Sequence, residues 1–183
     1  VNDSFDDTTL GMAWMTLRAP ATDLYSLTET PGFLSLKCAD VSTAEKSVPA
    51  FIGRRMQHHK FECSTRMLFN PSDNKEVAGM LLFKDESHQY FFCVAQSEGK
   101  RHISLKKTDK TAEEVVKSCN IDIATKEIYL KVVSKGTSYD FYYSLKDGKE
   151  WTPLCENIDA SHLSTAVAGG FTGSVIGMYA TRK

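Results

Sequence analysis

Apolar and polar residues alternate most clearly between Phe61 and Phe69. Phe61, Cys63, Thr65, Met67 and Phe69 share one parity, and Glu62, Ser64 and Arg66 the other. A period of two is the mark of a strand with one buried and one wetter face. Leu68 interrupts the polar side, so that face is not purely solvent. Carried backwards without a break, the parity sends Arg55, Gln57 and His59 towards the core. Buried polar groups need partners, and an unpaired buried charge is costly. The run Arg54, Arg55, Gln57, His58 is therefore expected to form a fixed polar network at a rim or interface. A solvated basic strand end is the plain alternative.

The rest of the chain reads as further strands. Residues 77–83 are apolar on both parities, as in a central strand covered on both faces. Residues 14–18 suggest a short strand stopped by Pro20, and residues 33–37 a strand after the turn Thr30-Pro31-Gly32. Residues 39–48 read as loop and residues 70–74 as a second turn. Residues 89–95 and 102–106 face each other across Glu98-Gly99. Ile128, Leu130 and Val132 alternate with polar or amphipathic neighbours before Lys135-Gly136 turns the chain. Tyr139, Phe141, Tyr143 and Leu145 then share a face. Burying each is worth about 1.5–3 kcal/mol, so that face must meet another sheet. Asp147-Gly148 is a hairpin turn, since Gly takes positive φ at little steric cost. Gly169-Gly170 leads to a last strand over residues 174–179, and short helices are expected only at 111–119 and 160–163. The pattern predicts an all-β, antiparallel two-sheet β-sandwich, one domain over residues 1–183.

Composition narrows the function classes. A chain 42% hydrophobic and 25% charged is ordinary for a globular protein. A formal net charge of -1 gives no basic footprint for nucleic acid and no cationic membrane face. No apolar run approaches the ~20 residues of a membrane helix. The sequence opens at Val1 without an initiator Met or signal-peptide core, and is expected to be a piece of a longer protein or a processed product. The compartment stays open. Cys38, Cys63, Cys93, Cys119 and Cys155 are odd in number and form no C-x-x-C, which suggests unpaired, mostly buried thiols.

Candidate chemistry is sparse. Glycoside hydrolysis needs two carboxylates ~5–10 Å apart across a sugar, whereas Asp85-Glu86 and Glu113-Glu114 read as solvated neighbours. His58 and His59 would point to opposite faces of a strand and cannot chelate together. No metal site or cofactor is expected; Asp6 and Asp7 could ligate calcium but read as a solvated acidic terminus. Nucleophile elbows and phosphate-cradling loops are absent, so catalysis by this chain is not expected. Residues 144–151 look something like one Asp box of a sialidase propeller, yet occur once, and a hairpin with Trp151 behind it reads better. Trp14 and Trp151 suit core packing or stacking on a sugar.

Taken together, several segments resemble a known module. Trp14-x-x-Leu17-Arg18-x-Pro20, Pro31-Gly32-Phe33-Leu34-x-Leu36, Gly53-Arg54-Arg55-x-Gln57-His58, Ala78-Gly79, Tyr142-Tyr143-Ser144 with Asp147-Gly148 and Trp151, and Gly170-Phe171-Thr172-Gly173 occur in that order. The chain is similar over nearly its whole length to the C-terminal concanavalin A-like β-sandwich, a jelly roll, of family 43 glycoside hydrolases, the β-xylosidase and α-L-arabinofuranosidase group. That resemblance implies a non-catalytic accessory domain packed on a catalytic β-propeller of the same polypeptide, with xylo- or arabino-oligosaccharides of the plant cell wall as substrates. An independent carbohydrate-binding, lectin-like module is the alternative. The resemblance also implies that the loop Gly170, Phe171, Thr172 lends an aromatic to the substrate pocket. The β-xylosidases of the family tend to read G-F-F-T-G; here Gly170 replaces the first Phe, so Phe171 either reaches out or packs inward. The family usually closes with a strand like A-D-F-D-x-F-x-Y, whereas this sequence stops at Lys183: either it was cut short or one edge is paired differently.

The cysteines offer a direct check. A native disulfide contributes ~2–5 kcal/mol, so a bridge would make melting sensitive to reduction. Dithiothreitol is expected to leave the thermal melting curve unchanged; a large downward shift would reveal a bridge.

Overall fold

The computed structural model describes residues 2–183. A two-strand ribbon, β1 (Tyr25–Ser26) with β2 (Ser35–Leu36), precedes the main body. Next in sequence are β3 (Ala50–Arg55), β4 (Lys60–Leu68), β5 (Val77–Asp85), β6 (His88–Ser97), β7 (Lys100–Asp109) and β8 (Ala112–Ile121). They are followed by β9 (Glu127–Lys135), β10 (Ser138–Ser144), β11 (Thr152–Asp159), the single helical turn α1 (Thr165–Ala168) and β12 (Val175–Thr181). One sheet runs β3-β12-β5-β6-β7-β8 and the other β11-β10-β9-β4, with antiparallel neighbours throughout. The last strand thus lies inside the larger sheet, between β3 and β5.

The sandwich core forms where the sheets face each other. Met80, Leu82, Tyr90, Phe92 and Leu105 meet Ile128, Leu130, Val132, Tyr139 and Phe141 there. Strands β5 and β6 are apolar on both parities because the large sheet is covered twice. Leu81, Phe83, Phe91 and Cys93 point the other way and pack with Leu17, Phe51, Val175 and Tyr179. Residues 39–43 are fastened over this outer face. The amide of Thr43 donates to the Tyr179 hydroxyl (3.2 Å), and Thr181 Oγ1 donates to the Val41 carbonyl (3.0 Å). Gly177 on β12 lies opposite Gly53 on β3, and a Cβ at Gly177 would collide with the Ile52 carbonyl and the Gly53 backbone. Here glycine is required by the close approach of two strands.

Several expectations are corrected. Residues 14–18 contribute one bridge, Met15 to Gly53, because the chain there only touches the edge of β3 before turning away. The strand at 33–37 shrinks to β2. The helix expected at 111–119 is strand β8: a turn with Lys110 at φ 59° folds it back on β7, and β-branched Val115 and Val116 suit that state. The β7–β8 register slips after Leu105, a bulge on the sheet edge. Leu145 lies past the end of β10 and is 39% exposed. The turn at 160–163 forms as a 3-10 helix, and all five cysteines are free.

Phe141 is fully buried and lies near the rings of Phe92 and Tyr139, so Phe141→Ala should cost ~3–5 kcal/mol in urea unfolding. Leu145→Ala is expected to stay within ~0.5 kcal/mol, as exposed positions do.

Candidate functional site

Two sequence features expected to carry function meet at one end of the sandwich. β3 ends at Arg55, opposite Val175 at the start of β12. One residue on, the Met56 amide donates to the Ser174 carbonyl (2.9 Å). The polar run 54–58 therefore sits beside the loop 169–173.

The run itself departs from expectation. Residues 49–69 are not one strand: β3 edges the six-stranded sheet, β4 edges the other, and residues 56–59 cross between them. Parity read from Phe61 does not survive that crossing. Arg54 takes the inner face, since it lies opposite Ile176, a member of the inter-sheet core. Its guanidinium rests 4.9 Å from the Trp14 ring centroid, and Trp14 Nε1 donates to Asp3 Oδ2 (2.6 Å). Arg55, Gln57, His58 and His59 are exposed. Among the described residues, the side chains of Arg55, Gln57 and His58 form no hydrogen bond, so no network closes within the chain.

The loop is shaped by its glycines. Ser164 caps α1, and Gly169 and Gly170 follow, both at φ 73°. A Cβ at either would meet no atom within 4 Å, so conformation and not space calls for glycine. Phe171 then stands away from the surface at 108% relative exposure. Of the two fates open to it, the outward one holds. Phe171 is the single exposed aromatic among the described residues; Trp14 and Trp151 are both half-buried. Gly170 and Thr172 are exposed beside it, and the Thr172 carbonyl accepts from the Lys84 ammonium.

Sequence reasoning missed two buried groups at this end. One is Lys84, a lone cation in an apolar strand, which was the available signal. The other is His162, whose Nε2 donates to the Thr108 carbonyl (2.8 Å) and whose ring lies 5.3 Å from Tyr90 and 5.1 Å from His88. Elsewhere, a groove of about 670 Å³ opens between the ribbon and the sandwich, beside Phe33, Met67 and Met178. The Arg66 guanidinium lies 4.9 Å over the Phe33 ring there, so that face is not open for stacking.

Antiparallel sheets packed face to face around one core make the chain a two-sheet β-sandwich. Residues 2–183 match the beta xylosidase C-terminal Concanavalin A-like domain, and the chain belongs to that family. It is 33% identical over 181 residues to a non-reducing end alpha-L-arabinofuranosidase of Bacteroides ovatus, covering 99% of this chain and 34% of that protein. A xylosidase/arabinosidase of Butyrivibrio fibrisolvens is 29% identical, with 97% and 34% covered. The structure of a xylan beta-1,4-xylosidase from Bacillus halodurans superposes with a TM-score of 0.90 at 27% identity, covering 98% of this chain and 35% of that one. The chain thus spans about a third of the length of the curated relatives it matches.

His162 gives this end a pH signature. Burial pushes its pKa below the ordinary 6.5, Lys107 and His88 act the same way, and the Thr108 bond and Asp109 oppose them. The unfolded chain therefore binds the proton first. The contribution of His162 is whole above pH 6.5 and is lost as pH falls from there through the folded pKa. The melting temperature should drop between about pH 7 and pH 5. His162→Gln should flatten that slope, whatever its effect on the neutral-pH value.

Proposed function

We propose that this chain is the non-catalytic accessory domain of a glycoside hydrolase acting on xylo- or arabino-oligosaccharides. Its end bearing the run 54–58 and the loop 169–173 docks on a catalytic β-propeller of the same polypeptide, and Phe171 narrows the substrate pocket there. The observation that carries this reading is Phe171, a whole aromatic ring held in solvent by a loop of otherwise small residues. An exposed ring of that size gains ~1.5–3 kcal/mol when a partner or ligand covers it. The neighbouring polar groups support the reading as well. Arg55 offers a forked cation suited to carboxylates or backbone carbonyls, and among the described residues its side chain makes no hydrogen bond or ion pair. The relatives' greater length supports a further domain in the same polypeptide.

The test is made in the full-length enzyme and in this chain side by side. Phe171→Ala should lower kcat/KM on short substrates roughly ten- to hundredfold, as expected for the lost burial of one ring. The melting temperature of the chain should stay within a degree or so, because the ring packs on nothing. A variant that melts early but keeps its turnover per folded molecule would make Phe171 a core residue instead. Arg55→Ala should leave the isolated chain unchanged and weaken docking by ~1–3 kcal/mol, seen as a lower melting temperature of the two-domain protein alone.

A further inference from the structure

Lys84 closes the apolar run of β5 and has no partner across the sheet. The register with β6 passes from Phe83 opposite Gln89 to Asp85 opposite His88, leaving Lys84 as the extra residue of a β-bulge. A bulge re-aims the side chain it carries. Here the lysine is turned inward until it is only 5% exposed. No carboxylate lies within 4.0 Å of its ammonium among the described residues, and its one hydrogen bond goes to the Thr172 carbonyl. A buried charge without a counter-ion persists only where a fixed acceptor repays its lost hydration.

The loop, for its part, has little else to hold it. Its first amide, Gly169, is tied back to Thr165 (2.9 Å), and its far end is fixed at Ser174, which bonds to Leu163 (3.0 Å) and Met56. Between those anchors, the Lys84 bond is the single hydrogen bond the loop makes among the described residues. It falls on the residue next to Phe171. Two glycines at positive φ, with open space around them, cannot fix the direction of that ring by packing.

We propose that Lys84 is a positioning residue: its charge-assisted bond to the Thr172 carbonyl pins the loop 169–173 to the end of β5 and sets the outward direction of Phe171. The structural half stands on this chain alone. The consequence for substrate rests on the pocket role given to Phe171 above.

Limited chymotrypsin digestion of the chain, followed by mass spectrometry, reads the pin directly. Lys84→Met keeps the bulk and removes the donor. Cleavage at the Phe171–Thr172 bond should then rise roughly ten- to hundredfold, the size expected for losing a charged hydrogen bond, while cleavage after exposed Leu145 stays as in the unaltered chain. Lys84→Arg returns a donor and should restore most of the protection. Cleavage unchanged at Phe171, or faster at both sites alike, overturns the proposal, the latter showing general destabilisation. In the full-length enzyme, Lys84→Met should raise KM for short substrates with kcat nearly kept, and should add nothing to Phe171→Ala. If the loop loosens but KM does not move, the pin stands and the pocket role of Phe171 falls.

Discussion

A sheet whose middle strands are apolar on both faces cannot be satisfied by one partner layer. β5 and β6 impose that condition here, sending Met80, Leu82 and Phe92 to one side and Leu81, Phe83 and Phe91 to the other. The four-stranded sheet covers the first side. The second has no sheet to meet, so irregular chain must do the work: Leu17 from the N-terminal segment packs there, and residues 39–43 are hydrogen-bonded to Tyr179 and Thr181. The long stretches without regular structure are thus a cover that the large sheet requires, fastened by side chains of β12.

The same constraint explains where the chemistry-bearing residues gather. Apolar strands continue until the cover runs out, and at one end of β3, β5 and β12 it does. There Arg54 and Arg55 end one strand, Lys84 stands one residue from the end of another, and the loop 169–173 delivers the chain into the third. His162 fills the space beneath, bonded to Thr108, edge-on to the Tyr90 ring and tilted against that of His88. The result is an end with cations buried or half-buried below and unpaired polar side chains above. The bare ring of Phe171 beside Arg55 is the pair of features on which the proposed docking rests.

Much of this was legible from the sequence, and the failures have physical causes. Period-two alternation found β4, β9 and β10, and double-sided apolarity found β5, because the pleat transmits burial directly into residue pattern. The turn at Lys135-Gly136 was readable from glycine, which takes φ 99° there. What failed was everything set by a distant partner. Residues 111–119 contain good helix formers, but pairing with β7 decides their state. Parity carried from Phe61 to Arg55 assumed one sheet where the chain changes sheets, and so placed Arg55 inward and missed that Arg54 lies there. Of the candidate site, the sequence reading named two segments, Arg54, Arg55, Gln57, His58 and Gly170, Phe171, Thr172. Their adjacency was not, because a register between β3 and β12 joins residues more than a hundred positions apart.

The open edge of the large sheet has its own consequence for how copies of this chain behave together. β8 has a neighbour on one side only and is wet over most of both faces, with Val115 at 58% exposure beside Val116. An uncovered strand of that kind is a template on which another molecule's strand could grow. Glu113, Glu114 and Lys117 flank the valines, and the register slips after Leu105, an irregularity of the kind that disfavours the flat geometry such growth needs. The bulge and the flanking charges make that edge a poorer seed for fibrous stacking than a flat, apolar edge would be.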